Sequence, residues 1–386
     1  MANETAGPSE EKGLSTGRSP RVCMVTARSV ARHAFRCALY DGEDVFSAID
    51  DVDLIHLRPC KRSELKHAIQ RRLVWHDPSG RLVLVNVAFE PVRLTEDYDL
   101  FIVYLPFAAE AIRLSAVRDW TRRCRTSICW IDELWAAEVP GLKPFLSALD
   151  RFEHVIIGCH GAVRALSDSL GRQCQFVPTA VDALRFSPYP DPPIRVVDVY
   201  SMGRRREEQH RAILRAAAKN KLFYLYDTLA ASDAEVHDAR EHREMLAGIV
   251  KRSRFFVVAP GKIDLPGETG GQVEVGLRYY EGAAAGTVMI GQAPDCEPFR
   301  TMFDWPDVVV TLKPDGSDVA DVLSQLTAHP ERVVEVGRRN AREALLRHDW
   351  VYRWEAILKI AGLSPRPQLL ERKRRLEELA DTARWT

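Results

Sequence analysis

From Phe186 to Pro193 the chain reads Phe-Ser-Pro-Tyr-Pro-Asp-Pro-Pro, with four prolines in the six residues 188–193. Proline fixes φ and donates no backbone hydrogen bond, so neither a helix interior nor a central strand passes through such a run. The segment 186–193 therefore divides the chain. At 386 residues the sequence also exceeds what one hydrophobic core usually holds. Two domains, 20–185 and 194–343, with a cleft between them, are the expectation.

Both halves alternate short β-rich apolar runs with helical patterns. Before the break the strand candidates are Val22–Thr26, Val52–Leu57, Leu100–Leu105, Ser127–Ile131, His154–Gly158 and Gln175–Val177. Helical patterns occupy 62–74, 110–123, 141–152 and 161–170. After the break come Arg195–Ser201, Leu222–Tyr226, Phe255–Ala259, Val288–Ile290 and Val308–Leu312, with helices at 207–219, at 238–251 and around Glu281. Strands that alternate with helices imply parallel sheets covered on both faces, hence two doubly wound α/β domains. Pro330–Leu363 reads as helical. Residues 366–383 form a charged amphipathic helix that either packs or stands in solvent.

Composition narrows the function classes. Hydrophobic residues make up 46% and charged residues 28%, and Lys+Arg equals Asp+Glu at 54 each, so no bulk charge draws the protein to nucleic acid or a membrane. The eight cysteines are scattered without a Cys-x-x-Cys pair or a zinc spacing, which suits free thiols in a reducing compartment. Residues 1–19 are polar and lack an apolar core, as in a disordered tail. The longest apolar stretch, Leu100 to Ala109, contains Pro106 and is too short to span a bilayer. No basic amphipathic helix stands out, and the location expected is the cytoplasm, with work at a membrane surface left open.

The most chemical segment is Gly276-Leu-Arg-Tyr-Tyr-Glu281-Gly-Ala-Ala-Ala-Gly286-Thr-Val-Met-Ile290, which puts one carboxylate in a small-residue helix leading to an apolar strand. An unpaired charge there suits the two hydroxyls of a sugar ring, a contact worth about 1.5–3 kcal/mol. Gly282 to Gly286 would let that helix approach the sheet. Gly203 with Arg204, Arg205 and Arg206 follows a strand and precedes a helix, a setting in which glycine brings backbone close to a diphosphate and a guanidinium binds it as a fork. Glu268 to Gln272 is a polar loop placed to cover a ligand. In the first half the strand ends offer Ala27-Arg28-Ser29, Asp132-Glu133 with Trp130 and Trp135, and Cys159-His160-Gly161. Asp132, Glu133 and His160 are the candidates for orienting an acceptor hydroxyl, set against ordinary roles as helix-start acids and a strand-end histidine.

These motifs resemble the GT-B glycosyltransferases, whose two Rossmann-like domains face a cleft. The Gly276 to Ile290 segment is similar to their nucleotide-sugar motif, and Cys174–Pro188 to the segment that closes their first domain, with Ala180 where glycine is usual. The set Arg278, Glu281, Gly286, His348, Trp350 and Arg353 resembles the spore-maturation-type members. One departure matters: the common Glu-x7-Glu pair would need glutamate at 273, where this chain has Val273, and Glu274 is one residue off. The resemblance implies donor binding by Gly203, Arg204, Arg206, Gly276, Arg278, Glu281 and Gly282. It also implies transfer from a nucleotide-diphosphate sugar to an acceptor sugar, lipid-linked sugar or small molecule, with retention, and C-terminal helices (344–386) that cross back onto the first domain.

No Gly-x-Gly-x-x-Gly fingerprint, Gly-x-Ser-x-Gly elbow or Walker loop is present. The expectation is a hexosyltransferase-like enzyme that needs neither metal nor cofactor. Two alternatives stay open: a nucleotide-sugar epimerase of the same fold, and a binding protein that does not turn over.

Overall fold

The computed structural model describes residues 20–228 and 234–385, so the tail expected over 1–19 lies outside the described residues. The first half builds β1 (Val22–Thr26), α1 (Cys37–Ile49), β2 (Val52–His56), α2 (Ser63–Trp75), β3 (Val92–Arg93), β4 (Tyr98–Phe107), β5 (Val117–Arg118) and α3 (Trp120–Arg123). It continues through β6 (Cys124–Glu133), α4 (Val139–Leu146), β7 (His154–Ile157), α5 (Val163–Leu170), β8 (Gln175–Phe176) and α6 (Ala183–Phe186). Six strands form one parallel sheet in the order β2-β1-β4-β6-β7-β8. Its central members β4 and β6 are buried along most of their length, as expected for a sheet with helices on both faces.

After residues 187–196 the second half builds β9 (Val197–Ser201), α7 (Glu207–Asn220), β10 (Tyr224–Tyr226), α8 (Ala239–Lys251), β11 (Ser253–Val258), α9 (Pro266–Thr269) and α10 (Leu277–Ala284). Then come β12 (Val288–Gly291), α11 (Glu297–Met302), β13 (Val309–Thr311), α12 (Val319–Ala328), α13 (Pro330–Arg347), α14 (Trp350–Ile360) and α15 (Pro367–Trp385). The second sheet is also parallel, in the order β10-β9-β11-β12-β13. In each sheet the chain steps first to one side of its opening strand and then to the other. The topological switch points therefore lie between β1 and β4 and between β9 and β11, where open α/β sheets bind ligands at their carboxyl ends.

Three expectations change. The pattern at 110–123 is not one helix: a 3-10 run spans Ala108–Ala116, β5 follows, and Asp119 at φ 66° turns the chain before α3. Helix α1 went unread, because Asp41, Glu43 and Asp44 interrupt its apolar pattern; Asp41 and Glu43 are nevertheless buried. Phe186, placed in the linker, is fully buried and ends α6.

The C-terminal helices cross back onto the first domain through tryptophan. Trp354 stacks on Phe46 of α1 at 4.1 Å, and its indole N–H donates to the Gly42 carbonyl at 2.9 Å. A Cβ on Gly42 would stand 3.2 Å from the Trp350 ring, so glycine permits the close approach. Helix α15 packs: Leu369, Leu376 and Ala380 are buried. Its Arg372 binds Asp349 at 2.7 and 2.8 Å and Asp182 at 2.7 Å. Asp349 itself forms a parallel bridge with Val181, the residue before Asp182.

Candidate functional site

The cleft lies between the carboxyl edges of the two sheets. On the second domain Gly203 follows β9 at φ +80°, a left-handed conformation that glycine adopts without strain, and its N–H donates to Asp227 at 2.9 Å. The three arginines after it diverge. Arg204 holds Asp264 through one guanidinium nitrogen at 2.9 Å, and Arg205 pairs with Asp227 at 2.5 Å. Arg206 meets only the neutral side-chain oxygen of Gln292, at 3.1 and 3.2 Å. Among the described residues it is the one cation of this loop without a carboxylate.

Gly276 starts α10 at the carboxyl end of β11. A Cβ there would come 3.1 Å from the Ala259 carbonyl, so the helix N-terminus, with its free N–H groups, sits against the loop leaving the strand. Arg278, in the first turn, reaches back to Gly203: a Cβ built on that glycine lies 3.8 Å from the guanidinium. The second-domain side of the cleft thus gathers Gly203, Arg206, Arg278, Gln292 and the mouth of α10.

Glu281 does not stand open to this space. It is fully buried, with one oxygen on Arg243 of α8 at 2.5 Å and the other on Arg278. Burial alone would raise its carboxyl, but the two arginines outweigh that and hold it below the usual range. Arg243 also binds Asp41 of α1 at 2.6 Å, and Arg185 closes on Asp41 as well. The expected lone carboxylate is one link of an interdomain ion chain, and the middle member of that chain, Arg243, was missed. A signal existed, since Arg243 shares the buried stripe of α8 with Leu246, Ala247 and Val250. Gly282 is likewise corrected: a Cβ there would strike Phe256 and Met289 at 2.8 and 2.9 Å, so it packs on the sheet and faces away from the cleft.

The loop from Ala259 to Val275 carries the ties across the cleft. Glu274 accepts from the backbone N–H groups of His160 at 3.1 Å and Gly161 at 2.8 Å. Gln272 accepts from Ala136 N–H at 2.7 Å and donates to Glu274 at the same distance. Lys262 lies 3.3 Å from Glu138 and 3.5 Å from Glu133, above the Trp135 ring. Val273 lines a cavity of about 400 Å³ with His160, Gly161 and Cys296.

On the first domain these ties sort the candidates. Glu133 accepts from the Trp135 indole at 2.8 Å and faces Lys262, so it is committed. The His160 ring stands edge-on to Phe176 at 5.1 Å, and its backbone serves Glu274. Asp132 remains. It accepts from the Tyr104 hydroxyl at 2.7 Å, and burial, reinforced by the charge of Glu133 and opposed by Tyr104, pushes its carboxyl up to about 7. Tyr104 was missed; it stacks on Trp130 at 4.1 Å. Trp130 and Trp135 are core residues. So are His348 and Arg353: burial drives the His348 imidazole well below its usual range, and Arg353 binds the Thr179 carbonyl at 3.2 Å.

Among the described residues no helix is long and apolar enough to cross a membrane, and no three His, Cys, Asp or Glu side chains cluster to hold a metal ion.

Two parallel Rossmann-like sheets facing a cleft, closed by helices that return to the first domain, define the GT-B architecture. Residues 204–359 match the family described as glycosyl transferase-like, a span that runs from the arginine after Gly203 into α14. Among solved structures the chain is similar to an alpha-glucosyltransferase in complex with UDP and a 13-mer DNA, at 10% identity and TM-score 0.51, covering 89% of this chain and 99% of that one. It is also similar to HepE of Anabaena in complex with UDP-glucose, at 11% identity and TM-score 0.51, covering 88% and 99%. No curated protein matches the sequence.

Proposed function

We propose that the protein transfers a sugar from a nucleotide-diphosphate sugar, with uridine as the first base to test, to an acceptor hydroxyl. The observation that carries the reading is Arg206, a guanidinium without a carboxylate beside Gly203 at the switch point of the domain that matches the glycosyl transferase-like family. Uridine is chosen because the two similar proteins bind UDP and UDP-glucose.

The diphosphate sits against Gly203 on Arg206 and the N–H groups at the mouth of α10, with Arg278 behind them. These donors are fixed in advance, so they stabilise the negative charge that grows on the leaving phosphate without reorganising. Asp132, half ionised near neutrality, takes the proton of the acceptor hydroxyl. The latch of Lys262, Gln272 and Glu274 closes the space and keeps water from the donor. Retention and independence of metal are part of the proposal. Its acceptor is a sugar, a lipid-linked sugar or a small molecule.

Calorimetric titration of UDP into the protein and into Arg206→Ala tests the reading, with UDP-glucose consumption followed in EDTA. Binding that weakens about ten- to hundredfold in the variant supports it. No binding of UDP, GDP, ADP or TDP sinks it. An isomerised sugar formed without acceptor would assign an epimerase, and binding without consumption under any acceptor a non-catalytic protein.

A further inference from the structure

Helix α2 of the first domain is packed on a narrow stripe and bare elsewhere. Only Gln70 and Val74 are buried, while Leu65, Ile69 and Leu73 are 56%, 51% and 55% exposed. At about 100° per residue these three span about 80° of the helix, on the side away from Val74. Lys66 and Arg72 border that apolar strip on its two sides. On the packed side Gln70 donates to the Leu82 carbonyl at 3.1 Å, which fixes the adjoining segment next to the helix with Leu82 and Leu84 exposed.

The charge around this surface is mostly positive. Lys61, Arg62, Lys66, Arg71 and Arg72 stand against Glu64 on the helix and Asp77 just beyond it, which accepts from the Leu82 N–H, and among the described residues none of the five cations makes an ion pair. Elsewhere in the molecule arginines are mostly matched to carboxylates, as the chains through Arg243 and Arg372 show. An apolar strip bordered by unmatched cations, on a helix that buries little, has the form of an interfacial helix: the aliphatic side chains enter the boundary of a bilayer while Lys and Arg meet anionic headgroups.

We infer that the outer face of α2, with the adjoining segment 82–87, docks the protein on an anionic membrane surface. The helix follows β2 at the carboxyl edge of the sheet, so docking sets the first-domain side of the cleft beside the lipid. This inference stands apart from the proposed transfer reaction, since binding is read without donor or acceptor.

Cosedimentation of the full chain with vesicles tests it, comparing phosphatidylcholine alone with phosphatidylcholine in which about a third of the lipid is phosphatidylglycerol. The protein partitions to the mixed vesicles and is released as salt rises. Removing both Lys66 and Arg72 by alanine weakens partition about 25-fold, roughly fivefold for each charge at the surface. Ile69→Glu abolishes it. All three side chains are exposed, so the thermal midpoint and circular dichroism stay as in the wild type, which separates lost docking from lost folding. Equal partition to both kinds of vesicle, or none, overturns the inference, as does binding indifferent to Ile69→Glu. A dimer in sedimentation velocity that Ile69→Glu dissolves would show that a second copy covers the face instead.

Discussion

The two sheet edges that meet at the cleft are built from opposite chemistry. The second-domain edge presents Gly203 and a helix mouth, fixed by backbone geometry, with Arg206 on Gln292 and Arg278 on Glu281. The first-domain edge presents Asp132 and Glu133, set by side-chain partners such as Tyr104 and Trp135. In the proposed reaction the second-domain edge is the cradle for an anion. The acceptor side holds one acid whose proton is loosely held near neutrality.

The largest effect should come from the ion chain joining the edges. Arg243→Met leaves Asp41 and Glu281 buried with one cation fewer, and loss of one partner from a buried pair costs about 3–5 kcal/mol. Urea unfolding reads this; a loss below about 1 kcal/mol would show that the chain does not hold the domains. Next is Asp132→Asn, for which kcat falls about a hundredfold while UDP affinity stays level. The same variant sharpens the pH contrast. The Asp132 carboxyl is raised to about 7, so its contribution to stability is complete below its ordinary pKa of about 4 and is lost as pH rises through 7. Asparagine removes that slope between pH 4 and 7, together with the limb of the rate profile near 7.

A subtler break separates neighbouring arginines. Arg206→Ala weakens nucleotide binding at least tenfold, whereas Arg204→Ala, already held by Asp264, changes it less than about threefold. Equal losses would mean that the free guanidinium is not the phosphate ligand. The smallest effect belongs to the latch: Glu274→Gln keeps one acceptor oxygen for His160 and Gly161, so stability falls by about 1 kcal/mol and the 259–276 loop becomes more open to protease. Unchanged cleavage of the loop would assign closure to Lys262 and Gln272 instead.

Much of the framework was legible in the sequence, because parallel strands buried on both faces read as unbroken apolar runs, as β4 and β6 do. What escaped was pairing over distance. Of the two partners of Glu281, Arg278 stands three residues upstream but Arg243 stands 38 upstream, and the Asp132 partner Tyr104 stands 28 upstream. Helix α1 escaped because buried acids with distant arginines mimic a surface pattern. The outer face of α2 escaped for the converse reason: its apolar side chains suited a core helix, and only the fold shows which side the sheet leaves bare.

Arg372 fastens Asp182 and Asp349, the residues beside the two places where the chain passes between domains. With both passages pinned to one guanidinium, the domains have a pivot but little freedom to slide. Opening is then a swing about that line, largest at the far rim and nearly zero beside Arg372. A single side chain in the last helix thereby joins the two points at which the chain passes between the domains.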